Sequence, residues 1–239
     1  MKVLNLLGKL VPFNLKLDIQ HKLGVPHMFW SMRNLKNNGF EPKSIIDAGA
    51  FDGEWTKTCV KIFPASDILM IEGQENKKQK LEKLSGSNIS YEIAIIGKED
   101  GTSVNFVIDD SNSNIQQNSN ITAHNRQTTT IDTICGKRQI KKVDFLKLDI
   151  QGYELEALKG AEKTLQNVEV ILIEVSLIDI GNSGVPLFNV IVDYLYEKNF
   201  ALYDICSTRI RRPLDNALWQ TDLIFITKNS ALISSQAYN

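Results

Sequence analysis

The chain has no long apolar run, no paired cysteines, no internal repeat and almost no net charge. Without a stretch of about 18 apolar residues it offers no membrane-spanning helix. The opening residues, Met1 to Lys9, are too short and too interrupted for a secretory signal. The three cysteines, Cys59, Cys135 and Cys206, are odd in number and far apart. That excludes a disulfide framework and a cysteine-spaced metal site, and it points to a reduced, cytoplasmic compartment. A net charge of -1 excludes general binding of nucleic acid. What remains is ordinary. At 239 residues, 43% apolar and 23% charged, the chain can bury a full core as one domain of the larger kind.

Charge is unevenly placed. Residues 1–40 hold six Lys/Arg (Lys2, Lys9, Lys16, Lys22, Arg33, Lys36) against Asp18. This basic start reads as a helical extension, broken at Pro12 and Pro26, ahead of a main domain over 41–239. Its lysines either cover a solvated helix face or make a peripheral contact with an anionic membrane or substrate.

The densest signal is Asp47-Ala48-Gly49-Ala50-Phe51-Asp52-Gly53. It follows the apolar pair Ile45-Ile46 and opens a helical pattern over 54–63. A carboxylate closes a strand, and glycines then let backbone approach a ligand at a helix start. Glu72 ends the next apolar run, where a carboxylate accepts both hydroxyls of a ribose. The glycine spacing differs from the G-x-G-x-x-G of dinucleotide sites, and two acids beside a pyrophosphate would repel it. A ligand with positive charge, S-adenosylmethionine, suits the site better. The plainer alternative is that Gly49 and Gly53 only shape a tight turn.

From Ser44 onward strand-like runs (44–48, 67–72, 89–95, 143–149, 168–175) alternate with helical patterns (54–63, 75–84, 153–165), the rhythm of a doubly wound, mostly parallel α/β sheet. A further helix, 186–199, leads to two strands, 200–206 and 222–227, expected to pair antiparallel. Val104–Asp109 reads as an extra hairpin strand, and the polar run after it as a lid, substrate loop or disordered insert. A second constellation is Lys147-Leu148-Asp149-Ile150-Gln151-Gly152. Asp149, at the carboxyl end of a strand, faces the ligand crevice, with Lys147 on the same face. Asp149 is a candidate general base, substrate-orienting group or metal ligand; the alternative for the pair is a buried ion pair that fixes the strand end. Glu174 ends the following strand and is placed to join Asp149 in an acidic cluster.

In order and spacing, these elements resemble the FkbM family of S-adenosylmethionine-dependent methyltransferases. The match runs through Ile46–Gly53, Ile71-Glu72, Ala94–Gly101, Thr129–Asp132, Phe145–Ala161, Ile173-Glu174 and Thr221–Ile226. The resemblance implies a class I methyltransferase fold, a Rossmann-like seven-stranded sheet whose last strand is antiparallel. It implies a cofactor set of Asp47, Gly49, Ala50, Phe51, Asp52, Gly53, Glu72, Gly73, Ala94 and Ile95. It also implies O-methylation of a hydroxyl on a sugar, polysaccharide or secondary-metabolite acceptor. Two departures stand out. Gln151 replaces the family's usual acid, so no metal is expected, and Asp52 replaces a common Asn, adding negative charge near the sulfonium. The candidate catalytic residues are Asp149, Lys147 and His124, the last in the loop before Thr128. Two rival readings are a nicotinamide-dependent oxidoreductase and a cofactor-binding module without catalysis.

Overall fold

The structure is a computed structural model. It describes residues 12–107, 114–115, 123–181, 184–207 and 210–233; for 114, 115, 123 and 124 it describes the backbone alone. Strands β1 (Ser44–Ala48), β2 (Asp67–Glu72) and β3 (Ile89–Ile93) are followed by two short pieces, β4 (Ile95–Ile96) and β5 (Ser103–Val107). Next come β6 (Asn114–Ile115), β7 (Ala123–Thr129), β8 (Phe145–Leu148) and β9 (Val170–Ser176). The chain closes with β10 (Phe200–Ile205), β11 (Ile210–Arg211) and β12 (Leu218–Thr227).

The main sheet runs β10-β12-β9-β8-β1-β2-β3, with β11 added against β12. Its centre is parallel, and β12 is antiparallel to both β9 and β10. The strands read as continuous apolar runs because both faces are covered. On one face Ile46, Leu146, Ile171 and Phe225 pack with Ile134, Leu158 and Ile191 from helices. On the other, Ile45, Phe145, Leu172 and Ile224 pack with Trp55, Cys59, Met32 and Leu35. Helix Met28–Asn37 thus buries Met32 and Leu35 in the same core as the sheet, and Ser31 Oγ donates to Asp204 Oδ2 at 2.6 Å.

Three expectations change, and one helix is new. The run 89–95 breaks after Ile93, and β4 leaves the main sheet to pair with β7 in a second sheet, β4-β7-β5-β6. Residues 123–129 are therefore a strand, antiparallel to β5, and His124 stands opposite Phe106 instead of in a loop. The helical pattern 153–165 is two helices, Glu154–Lys159 and Glu162–Leu165. Asp132 starts the second by accepting from the backbone N–H groups of Lys163 (2.9 Å) and Thr164 (2.8 Å). Helix Ile131–Lys137 was not legible as a helix, although Thr130 caps it by accepting from Thr133 N at 3.0 Å. Asp100 braces the same corner, accepting from Thr129 Oγ1, Thr130 N and Thr133 Oγ1. The matched segments around residues 100 and 132 thus hold corners of the fold together. Of the polar run, 109–113 and 116–120 lie outside the described residues. Among the described residues no helix is long and apolar enough to cross a membrane.

Candidate active site

The ends of β1 and β8 touch. Gly49 sits at φ +79°, and a Cβ there would lie 1.7 Å from the Asp149 carbonyl oxygen, so no side chain fits. The next turn is pinned to β2. The N–H groups of Gly49 and Ala50 donate to the Ile71 carbonyl, and Phe51 N donates to Glu72 Oε2 at 2.7 Å. Glu72 Oε1 accepts from Gln74 N at 2.9 Å. Glu72 is nearly buried and its carboxyl is pushed upward, mainly by that burial, against the pull of the two backbone donors. Phe51 adopts φ +50°, a left-handed conformation uncommon outside glycine, and its ring lies under the Lys77 ammonium at 3.4 Å.

Asp52 and Gly53 point elsewhere. Asp52 pairs with Lys77 (3.2 Å) and Lys80 (2.6 Å). Burial pushes its carboxyl up, but the two lysines outweigh that and hold it below the usual range. Its charge is therefore met by two lysines outside the cavity lining. Gly53 begins helix Glu54–Ile62 in the left-handed region, and its missing side chain makes room for Leu84, 2.2 Å from where a Cβ would be. The glycine serves packing of this helix start against helix Lys78–Leu84.

Asp47 and Lys147 form the floor. Asp47 is fully buried; Oδ2 accepts from Thr56 Oγ1 at 2.7 Å and Oδ1 is 3.0 Å from Lys147 Nζ. Lys147 Nζ also donates to the Gly49 carbonyl at 2.9 Å and lies 3.5 Å from Asp149 Oδ2. Burial pulls this ammonium down, yet Asp47 and Asp149 more than offset it, so its net shift is upward. One cation thereby ties three ends of backbone and side chain into a unit.

Asp149 is different, with a side chain 36% exposed. Its Oδ1 accepts from Gln151 Nε2 at 3.0 Å. The same amide nitrogen donates to Glu174 Oε2 at 3.1 Å, and Gln220 Nε2 adds a third contact at 3.0 Å. Burial, and then Asp149, push the Glu174 carboxyl well up. Gln151 holds φ +55°, and its loop is fixed by Glu154, which accepts from Ile150 N (2.9 Å) and Gly152 N (3.0 Å). Among the described residues no group of three or more His, Cys, Asp or Glu is placed to hold a metal ion.

These walls enclose a cavity of about 360 Å³. One end is Glu72, Gly73, Ala94, Ile95, Ile96 and Phe106; the other is Asp149, Gln151, Tyr153, Glu174, Trp219 and Gln220, with Gly49 and Phe51 between. Of the expected cofactor residues, Gly49, Phe51, Glu72, Gly73, Ala94 and Ile95 border it, whereas Asp47, Ala50, Asp52 and Gly53 do not. An apolar slot beside an anchored carboxylate fits an adenosine, and acids at the far end fit a positive charge. Phe106, Trp219 and Gln220 were missed, since an aromatic or amide outside a motif carries no positional signal; Tyr153 was missed although it lies inside the matched run Phe145–Ala161. Lys147 and Asp149 come together as expected; the side chain of His124 lies outside the described residues.

A parallel sheet with a reversed strand between its last two partners, and a cavity at the carboxyl ends of β1, β2 and β8, define the class I methyltransferase fold. The methyltransferase FkbM domain matches residues 47–202, and the chain belongs to that family, with S-adenosylmethionine as cofactor. No curated protein sequence matches it. Among solved structures it is similar to the precorrin-6y C5,15-methyltransferase of Geobacter metallireducens GS-15 (10% identity, 84% of this chain and 86% of that one, TM-score 0.48). The N-terminal domain of EvdMO1 with SAH bound is another (11%, 83% and 79%, TM-score 0.47). The pyocyanin biosynthetic protein PhzM is a third (12%, TM-score 0.44); the chain is covered over 82% and spans 54% of that protein.

Proposed function

We propose that the chain methylates a hydroxyl oxygen of a sugar, polysaccharide or secondary-metabolite acceptor, with Asp149 as general base. The observation that carries this reading is the position of Asp149. It is an accessible carboxylate at the cavity end opposite Glu72, locked from behind by Lys147 and from the side by Gln151. When bound, S-adenosylmethionine supplies a methyl carbon whose bond to the sulfonium sulfur breaks, leaving the pair on sulfur, as the acceptor oxygen bonds it. Glu72 holds the ribose hydroxyls, and the slot of Ala94, Ile95 and Phe106 holds the base. Asp149 takes the acceptor's hydroxyl proton, and Lys147 keeps it in place.

The test is Asp149→Asn, which keeps shape and removes the basic carboxylate. Turnover should fall by ~10²–10⁴-fold with cofactor affinity preserved. A variant with most of its rate would move the base elsewhere. The three free, buried cysteines support a cytoplasmic setting. The basic start supports a peripheral contact with anionic membrane: Lys16 and Lys22 flank an exposed apolar stripe of Leu15, Ile19 and Leu23 on helix Phe13–Lys22 and just beyond it. Arg33 and Lys36 are already engaged, with Asp18 and the Ile62 carbonyl.

A further inference from the structure

Asp149 borders two cavities. The second, of about 300 Å³, reaches it across the sheet face covered by helices Met28–Asn37 and Glu54–Ile62. Phe29 and Trp55 supply aromatic walls; Glu54, Thr58, Asp149 and Asp222 supply polar ones. The Trp55 side chain is buried, and its indole nitrogen has no hydrogen-bond partner among the described residues. Buried donors are seldom left so, and an oxygen carried by an occupant would complete it. Among the described residues the one cation on this wall, Lys147, is already engaged with Asp47, the Gly49 carbonyl and Asp149. The described wall therefore offers ring surface, hydrogen-bond acceptors and one donor, with no cation among its described residues left for an anion.

We propose that this second cavity is the acceptor chamber, that it takes an uncharged polyhydroxyl ring, and that it rejects the same ring bearing a phosphate or carboxylate. The inference rests on the reading that Asp149 serves a hydroxyl acceptor. The ring's apolar face lies on Trp55 and Phe29, its hydroxyls donate to Glu54 and Asp222, and the reacting hydroxyl arrives at Asp149. An anionic substituent would meet Asp149 and Asp222 in a confined space, with Glu54, already paired to Lys57, at the exposed rim; placing it there without a partner is costly.

Saturation-transfer NMR on the full chain, loaded with S-adenosylhomocysteine, tests this. The probes are the methyl glycosides of glucose, galactose and mannose, with glucuronate and glucose 6-phosphate as their charged counterparts. At least one neutral glycoside should receive saturation, and neither anion should. Thr58→Phe, which fills the cavity from a partly exposed position, should weaken that glycoside by about tenfold. Glu54→Lys, at the exposed rim, should let the anions in. The inference is overturned if no neutral glycoside binds, if the anions bind as well, or if Thr58→Phe changes nothing. Calorimetry with S-adenosylhomocysteine separates the remaining cases. Affinity within about twofold of the parent in both variants supports the assignment. If folded Thr58→Phe loses the cofactor product as well, the cavity holds the cofactor's methionyl end; the acceptor chamber is then wrong and methyl transfer stands. A parent chain that binds no S-adenosylhomocysteine defeats both.

Discussion

At the residue scale the site separates into groups that face the cavity and groups that shape it. Glu72 does both, since its two oxygens clamp Phe51 and Gln74 while it borders the cavity. Glu72→Ala should weaken S-adenosylmethionine binding by ~1.5–3 kcal/mol, read by calorimetry. Glu72→Gln should lose less, because an amide keeps one acceptor for the ribose or the backbone. An unchanged affinity in both would move the ribose elsewhere. The glycines diverge. Gly49→Ala forces a Cβ onto backbone and should abolish folded protein, whereas Gly53→Ala meets only the movable end of Leu84 and should fold with a lowered melting temperature. Glu72, Gly49 and Asp149 were legible because the last residues of parallel strands face the crevice wherever the sheet goes. Asp52 was not. Its direction is decided by the left-handed turn at Phe51 and by two lysines more than 20 positions onward, neither of which a local motif encodes.

At the element scale the loop between β8 and helix Glu154–Lys159 depends on one buried acid. Burial pushes the Glu154 carboxyl up to about 7, against its own backbone hydrogen bonds. Asp222 is pushed up to about 6, again chiefly by burial. Acids with raised folded values bind protons more tightly in the native state. Their contribution to stability is complete below the ordinary values of 4.5 and 3.8, and it is lost as pH rises through 6 and 7. Asp52, Asp100 and Asp144 shift downward and so titrate below this window. The melting temperature should therefore fall between pH 5 and pH 8, and Glu154→Gln should flatten the slope. A parent whose melting temperature rises across that interval would contradict the burial argument. The succession of strands and helices was largely legible, since apolar runs alternating with helical patterns mark a mostly parallel α/β sheet. The excursion of β4 and β7 was not, because Ala123–Thr129 is mostly polar and is held as a strand by pairing with β5.

At the scale of the whole molecule, the described part of the N-terminal segment, residues 12–40, serves two surfaces. Helix Met28–Asn37 buries Met32 and Leu35 against the sheet and places Phe29 at the second cavity, while helix Phe13–Lys22 turns Leu15 and Ile19 outward. Flotation with vesicles containing anionic lipid should recover the parent chain at low salt, and Lys16→Glu with Lys22→Glu should remain unbound. Equal recovery on neutral vesicles would remove the electrostatic part of that proposal. Composition alone showed the charge asymmetry; which of the described basic residues are engaged depended on tertiary contacts such as Arg33 with Asp18 and Lys36 with the Ile62 carbonyl.

The reversal of β12 also decides where the molecule can be tethered. Because this strand runs against its neighbours, its first residues, Trp219 and Gln220, reach the cavity and its last, Thr227, lies at the opposite rim. At about 3.3 Å per residue, the strand carries the chain ~25 Å from the chemistry by the time it ends. A surface linker or reporter fused beyond Thr227 therefore leaves the mouth clear, whereas one placed in the turn before Leu218 sits on its threshold.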